Sequence, residues 1–243
     1  MLYRELAEAL ASTVSVYGLQ SQGLDHRSQR LTRIEEMAAH YVEEIQGFQS
    51  RGPYHLGGYC MGGAVAYEMA RQLRQKGEEV GLVVLFDSYN LSTVKGPTDG
   101  VNHVSSWRQK IGFHLANLLQ IGPRHLPSYF FEKFRMAREA ALASGERQLR
   151  RTRSILDGSQ SAEVVIQKVN DDAVWRYVPQ PFDGRLIIFR PQKNYDFMPD
   201  PHLGWGELVE GRIDLIQLPV NPHAMLIRPW VNTLAAELKR RLL

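Results

Sequence analysis

An α/β fold with a mostly parallel, doubly wound sheet and a helical insertion is what the sequence predicts, and three observations carry it. The chain has 243 residues, 44% hydrophobic and 23% charged, enough apolar material for one large core. Val80–Phe86 (VGLVVLF) is a nearly unbroken apolar run, the mark of a strand covered on both faces. A strand, a helix and that second strand follow one another between Tyr54 and Phe86, the order of a parallel, helix-covered unit.

Taken in order, the N-terminus reads as a helix at about 2–11, with Leu2, Leu6, Ala9 and Leu10 at helical spacing. A short strand is expected at Val14–Gly18, a polar loop at Gln22–Arg30 and a second helix at Ile34–Phe48. Arg51-Gly52-Pro53 breaks the chain before a strand at Tyr54–Tyr59. That strand runs into Gly62-Gly63 and a helix from Ala64 to Lys76, closed by Gly77. From Leu91 to about Asp172 no strand of comparable strength occurs, and three helices are expected, broken by Gly122-Pro123, Pro127 and Gly158. Strand signals return at Arg185–Arg190 and Arg212–Leu218, and Pro229–Leu243 is a closing helix with Val231, Leu234, Ala235 and Leu238 inward. Residues 1–90 and 179–243 are thus the two parts of a core, and 91–178 a helical insertion placed where a lid would sit.

The composition excludes disorder, collagen and a disulfide scaffold. The single cysteine, Cys60, cannot pair within the chain, which suits a reducing compartment. No basic leader precedes an apolar stretch, and no run approaches the ~20 apolar residues of a membrane span, so a cytoplasmic protein without membrane partners is expected. A net charge of +3 is too small to argue for nucleic acid. The eight histidines show no zinc spacing, and one cysteine cannot build a thiolate metal site.

A lone cysteine is commonly a small buried hydrophobe. Gly58-Tyr59-Cys60-Met61-Gly62-Gly63 stands instead between a strand and a helix, the context that makes G-x-nucleophile-x-G a strained elbow. Gly58, Gly62 and Gly63 are expected to lack side chains so that strand and helix can cross closely. Cys60 would then lie at the sheet's C-terminal edge and at a helix N-terminus, which favours a thiolate, with the Met61 N–H as one oxyanion donor.

The segment Gly58–Ser88, GYCMGGAVAYEMARQLRQKGEEVGLVVLFDS, resembles the thioesterase domains that end non-ribosomal peptide synthetase and polyketide synthase assembly lines. The likeness extends to Val16-Tyr17-Gly18-Leu19-Gln20 and the helix ending at Tyr41, and to Gly184–Phe189, Asp200–Trp205 and Pro219–Val231. It covers about two thirds of the chain and leaves out the insertion, which is similar only in being helical. The resemblance implies an α/β-hydrolase fold with a helical lid and no bound cofactor. Its implied partner is an acyl or peptidyl carrier protein that presents the substrate on phosphopantetheine. Most members carry serine at the elbow and a minority cysteine, as here; a Cys60 thioester would keep the acyl group activated for an amine, an alcohol or water.

A nucleophile at the elbow needs a base, and the base an orienter. Asp87 follows the Val80–Phe86 strand, 27 residues after Cys60, where the family places its acid; a loop or capping aspartate is the plain alternative, and Asp183 the substitute. His223, in the loop after the last strand, is the best base, and the chain order Cys60, Asp87, His223 agrees with nucleophile, acid, histidine. Counted from Pro219 or from Met225-Leu226, the family's histidine position falls on Pro222, so His223 stands one residue further on.

The family begins with a strand and a glycine-containing loop that supplies a second oxyanion N–H, whereas Met1-Leu2-Tyr3-Arg4-Glu5-Leu6 corresponds to the helix after that loop. The first strand and half of the oxyanion hole are therefore expected to be missing, through an upstream start or a truncation. In Pro123–Asp157 eight basic residues (Arg124, Lys133, Arg135, Arg138, Arg147, Arg150, Arg151 and Arg153) face four acidic ones, a solvated helix face or a docking surface for an acidic carrier. Trp107, Ile111, Phe113, Leu115, Leu118 and Leu119 give an apolar face for packing or for an acyl channel. Release of a carrier-bound acyl or peptidyl chain through Cys60, by hydrolysis or cyclisation, is the expected function. The alternatives are a discrete editing thioesterase and a truncated, catalytically defective carrier-binding module.

Overall fold

The computed structural model describes residues 2–21, 31–94, 162–195, 198–222 and 224–242. The elements are α1 (Arg4–Leu10), α2 (Ile34–Phe48), β1 (Tyr54–Tyr59), α3 (Met61–Gln75), β2 (Val80–Phe86), α4 (Ala162–Arg176), β3 (Arg185–Pro191), β4 (Arg212–Leu218) and α5 (Trp230–Leu242), with short 3-10 turns at Leu91–Thr93 and Gly206–Leu208. Among the described residues, four strands form one parallel sheet in the order β1-β2-β3-β4.

Both faces of the sheet are covered, and the alternation of side chains along a strand decides which face each residue feeds. Val83 and Leu85 of β2 and Leu186 and Ile188 of β3 point to the side of α2 and α3, where Ile34, Met37, Val42, Tyr67 and Leu73 are buried. Leu82, Val84 and Phe86, with Ile187 and Phe189, point to the side of α1 and α5, against Leu6, Leu10, Val231, Leu234 and Leu238. This is the physical reason that β2 reads as an unbroken apolar run: every residue has a helix layer on one side or the other. Phe86 and Phe189 stack across the strand pair with ring centroids 5.6 Å apart.

Two expectations are corrected. No strand forms at Val14–Gly18; residues 14–20 have no ladder partner among the described residues, and Val16, Tyr17 and Leu19 are exposed. Alternating apolar residues make a strand only where a neighbour accepts their backbone hydrogen bonds, and β1 is the edge of the sheet here. The elbow helix starts at Met61, three residues before the expected Ala64, because Gly62 and Gly63 supply its first turn. Gly77 ends it as expected, at φ +81°. The expected loop at Gln22–Arg30 and, of the insertion, residues 95–161 lie outside the described residues, including its basic cluster and the apolar face from Trp107 to Leu119.

Candidate active site

β1 and β2 end side by side, with Tyr59 in register with Phe86, so the residues after them, Cys60 and Asp87, leave adjacent strands at the same edge of the sheet. The Cys60 N–H donates to the Phe86 carbonyl (3.0 Å) and the Asp87 N–H to the Phe189 carbonyl (2.9 Å), which fixes both turns to the sheet. Both residues are forced into the left-handed region, Cys60 at φ +53° and Asp87 at φ +45°. Among the described residues the only other non-glycine there is Leu203, whose carbonyl accepts from the Asn90 N–H (2.9 Å), three residues beyond Asp87. Such conformations are unfavourable by ~1–3 kcal/mol each and persist where the surroundings impose them. All the described non-glycine strain of this kind is thus gathered at the two expected site residues and the loop behind one of them.

The elbow explains two of its three glycines. A Cβ on Gly58 would overlap the Gly62 carbonyl group, and a Cβ on Gly63 would lie 2.5 Å from both Cβ and Oγ of Ser88. Gly62 itself has room: the nearest atom to its added Cβ is the Tyr3 hydroxyl at 3.5 Å, an ordinary contact. The expectation that Gly62 must lack a side chain is therefore corrected; its backbone, not its Cα hydrogen, is what crowds Gly58. The Cys60 residue caps α3 and is exposed. Met61 is the first helical residue, so its N–H is among the donors that no carbonyl one turn earlier can satisfy.

Asp87 is buried and receives a 2.7 Å hydrogen bond from the Tyr89 hydroxyl. Around it and Cys60 stand four tyrosines whose hydroxyls are all held protonated. Burial, then the Asp87 charge and the bond donated to it, raise Tyr89. Burial, then Asp87 and Cys60, raise Tyr59 and Tyr195. For Tyr3 burial dominates; the hydrogen bond it accepts from Tyr59 opposes this, and Cys60 adds to the rise. The Tyr89 and Tyr195 rings meet edge to face, centroids 5.9 Å apart. Behind Asp87, the Trp205 indole donates to the Ser88 carbonyl (3.0 Å) and the Asn90 side chain to the Gly204 carbonyl (2.8 Å). Trp205, fully buried, anchors the segment that carries Asp87 to the core.

Of the expected site residues, Cys60, Met61 and Asp87 are brought together. His223 lies outside the described residues; β4, which precedes its loop, ends beside β3 at the same edge, with Leu218 opposite Pro191. Asp183 is excluded as the acid, because it precedes the first residue of β3 and so lies at the opposite edge of the sheet from Cys60. Among the described residues no group of three or more His, Cys, Asp or Glu side chains could hold a metal ion, and no helix is long and apolar enough to cross a membrane.

Sequence reasoning missed the tyrosine cage and Trp205. Tyr59 and Tyr89 carried a local signal, being one residue before Cys60 and two after Asp87. Tyr3 and Tyr195 carried none, because only the parallel topology brings α1 and the end of β3 to the elbow.

Comparison with known proteins agrees with this geometry. A family described as "Thioesterase domain" matches residues 1–172. The dimodular nonribosomal peptide synthase of Bacillus subtilis (strain 168) is 30% identical over 238 residues, which cover 93% of this chain and 9% of that protein. This chain spans less than a tenth of the length of the curated relatives it matches, 9%, 3% and 2% in three cases. Among solved structures, holo-AB3403, a four-domain nonribosomal peptide synthetase bound to AMP and glycine, superimposes with a TM-score of 0.68 at 24% identity, covering 98% of this chain and 18% of that one. The thioesterase domain of NocB, in covalent complex with a fluorophosphonate nocardicin G analogue, gives a TM-score of 0.61 at 22% identity, covering 99% and 88%. The fold is therefore that of the thioesterase α/β-hydrolases.

Proposed function

This chain belongs to the thioesterase domain family, and from that premise we propose that it releases an acyl or peptidyl chain from the phosphopantetheine arm of a carrier protein by way of a Cys60 thioester. The observation that carries the reading is the pair of strained turns: an exposed cysteine at φ +53° capping a helix, beside a buried aspartate at φ +45° at the end of the next strand. An exposed cysteine at such an elbow, with a buried aspartate at the end of the next strand, supports reading Cys60 as the nucleophile and Asp87 as the residue that orients its base.

In the proposed reaction the Cys60 proton passes to His223, and the thiolate sulfur bonds to the thioester carbon while the carbonyl π pair moves to oxygen. The Met61 N–H donates to that oxyanion. Collapse breaks the bond to the pantetheine sulfur, which leaves with the proton held by His223. Water, or an amine or hydroxyl of the chain itself, then attacks the Cys60 thioester with His223 as base, giving acid or ring and restoring the thiol. Asp87 orients His223 and stabilises its cation. The carrier is the partner and no bound cofactor takes part; residues 91–178 would form the lid, and its basic cluster the surface that meets an acidic carrier. The relatives' names, which include nonribosomal peptide and polyketide synthases, support an assembly-line setting.

The test is turnover of an acyl chain loaded on a phosphopantetheinylated carrier protein. The wild-type chain should release it, and Cys60→Ala should abolish release. Equal release with and without the cysteine would overturn the reading; no release by a folded wild-type chain that still binds the loaded carrier would favour a carrier-binding module instead.

A further inference from the structure

We propose that the hydroxyl of Tyr3 is the second donor of the oxyanion hole, a catalytic residue for the reaction proposed above, on which this inference rests. Three observations place it. The Cys60 N–H is used toward β2, so the N–H of Tyr59 points to the outer edge of β1, where no strand lies among the described residues. Tyr3 takes it: its hydroxyl oxygen accepts from Tyr59 N–H at 2.8 Å. The same oxygen lies 3.5 Å from where a Cβ on Gly62 would stand. It is therefore held between residues 59 and 62, beside the turn that presents Cys60 and the Met61 N–H.

Its own proton is the active part. The oxygen's accepting role is filled by a backbone N–H, and among the described residues nothing accepts the hydroxyl proton. Burial favours the protonated form, and the hydrogen bond from Tyr59 does not reverse this. Gly62, whose own position would tolerate a methyl group, leaves open the space in front of the hydroxyl. When the Cys60 sulfur bonds to a thioester carbon and the π pair moves to oxygen, the Met61 N–H and the Tyr3 O–H converge on that oxygen. On collapse the pair returns to the carbonyl and the pantetheine thiolate leaves; Tyr3 keeps its proton throughout.

The experiment compares two reactions of the same sulfur. Acylation of Cys60 by a short acyl thioester of N-acetylcysteamine creates an oxyanion, whereas alkylation by iodoacetamide creates none. In Tyr3→Phe, acylation followed by rapid-quench intact mass should fall ~10²-fold, the effect of losing one oxyanion donor, while alkylation stays within twofold of wild type. Acylation within twofold of wild type overturns the proposal, and so does an equal fall in both reactions, which would make Tyr3 only a support for the elbow. Should Tyr3→Phe not fold, 3-fluorotyrosine at position 3 keeps the hydroxyl and strengthens it as a donor: faster acylation is expected, and an unchanged or slower rate overturns the proposal. A wild-type chain that alkylates but never acylates would refute the release reaction itself, an outcome distinct from wild type and Tyr3→Phe acylating alike.

Discussion

Replacing Gly63 by alanine should displace Asp87 by way of the helix that follows Cys60. The added Cβ would lie 2.5 Å from Cβ and Oγ of Ser88 and 3.1 Å from the Gly58 carbonyl oxygen. Comfortable carbon contacts need ~3.5–4.0 Å, so an opening of about 1 Å is required between α3 and the end of β2. Ser88 cannot yield alone. It is fully buried, it follows the strained Asp87, and its carbonyl holds the Trp205 indole. Overpacking of this kind is destabilising by ~1–3 kcal/mol, larger than the gain of up to ~1 kcal/mol that alanine brings to a helix. At ~2–4 °C per kcal/mol for a chain of this size, the melting midpoint should fall by about 4–8 °C for a 2 kcal/mol loss. Thioester turnover should fall at least tenfold, since Asp87 moves with Ser88. Two variants isolate the cause. Ser88→Gly in the Gly63→Ala background removes the Cβ that is struck and should recover most of both losses, a coupling of ~1–3 kcal/mol. Gly62→Ala, one residue away with its Cβ only in ordinary contact with the Tyr3 hydroxyl, should melt no lower than wild type. A Gly63→Ala protein that melts within 1 °C of wild type and turns over normally would refute the reasoning.

Other predictions follow from the same contacts. Asp87→Asn keeps the shape but loses the charge that would stabilise an imidazolium; kcat should fall at least ~10²-fold with KM little changed, measured by steady-state thioester hydrolysis. Tyr67→Phe removes a buried hydroxyl shared by the carbonyls of Gln180 (2.9 Å) and Leu208 (3.0 Å) and should destabilise by ~1–3 kcal/mol in urea unfolding. Asp214 is partly desolvated, which raises its pKa, but hydrogen bonds from Arg185 (3.1 Å) and Arg212 (2.8 Å) outweigh this and hold it below the ordinary carboxylate value. A depressed folded pKa stabilises above the unfolded value and the gain is lost as pH falls through the folded one. Asp214→Asn should therefore cost about 1 kcal/mol at pH 7, and the difference should shrink as pH falls below the ordinary carboxylate pKa and vanish only below the depressed value of the folded chain.

The fold was legible where local and global demands coincide. α2, β1, β2 and β4 occupy the residues that periodicity assigns, because each buries one stripe or both faces against its neighbours. Val14–Gly18 shows the limit: its alternation is that of a strand, yet a strand is a pairing, and no partner stands beside it among the described residues. The adjacency of Cys60 and Asp87 was legible because glycine spacing and a strand end are local signals. The tyrosines were not. Tyr3 and Tyr59 meet across 56 residues of chain, a distance that only the docking of α1 against the sheet closes. Gly62 was legible as glycine but not for the right reason, since its crowding falls on Gly58.

Covalent capture of the acyl group on Cys60 is the most direct test of the central claim. The chain is mixed with an acyl-loaded carrier protein, quenched in acid within the first turnover and digested for peptide mass mapping. In wild type the peptide containing Cys60 should gain the mass of the acyl group, less one hydrogen. Release of free acid with Cys60 unmodified at every time point, or undiminished release by Cys60→Ala, would contradict the claim.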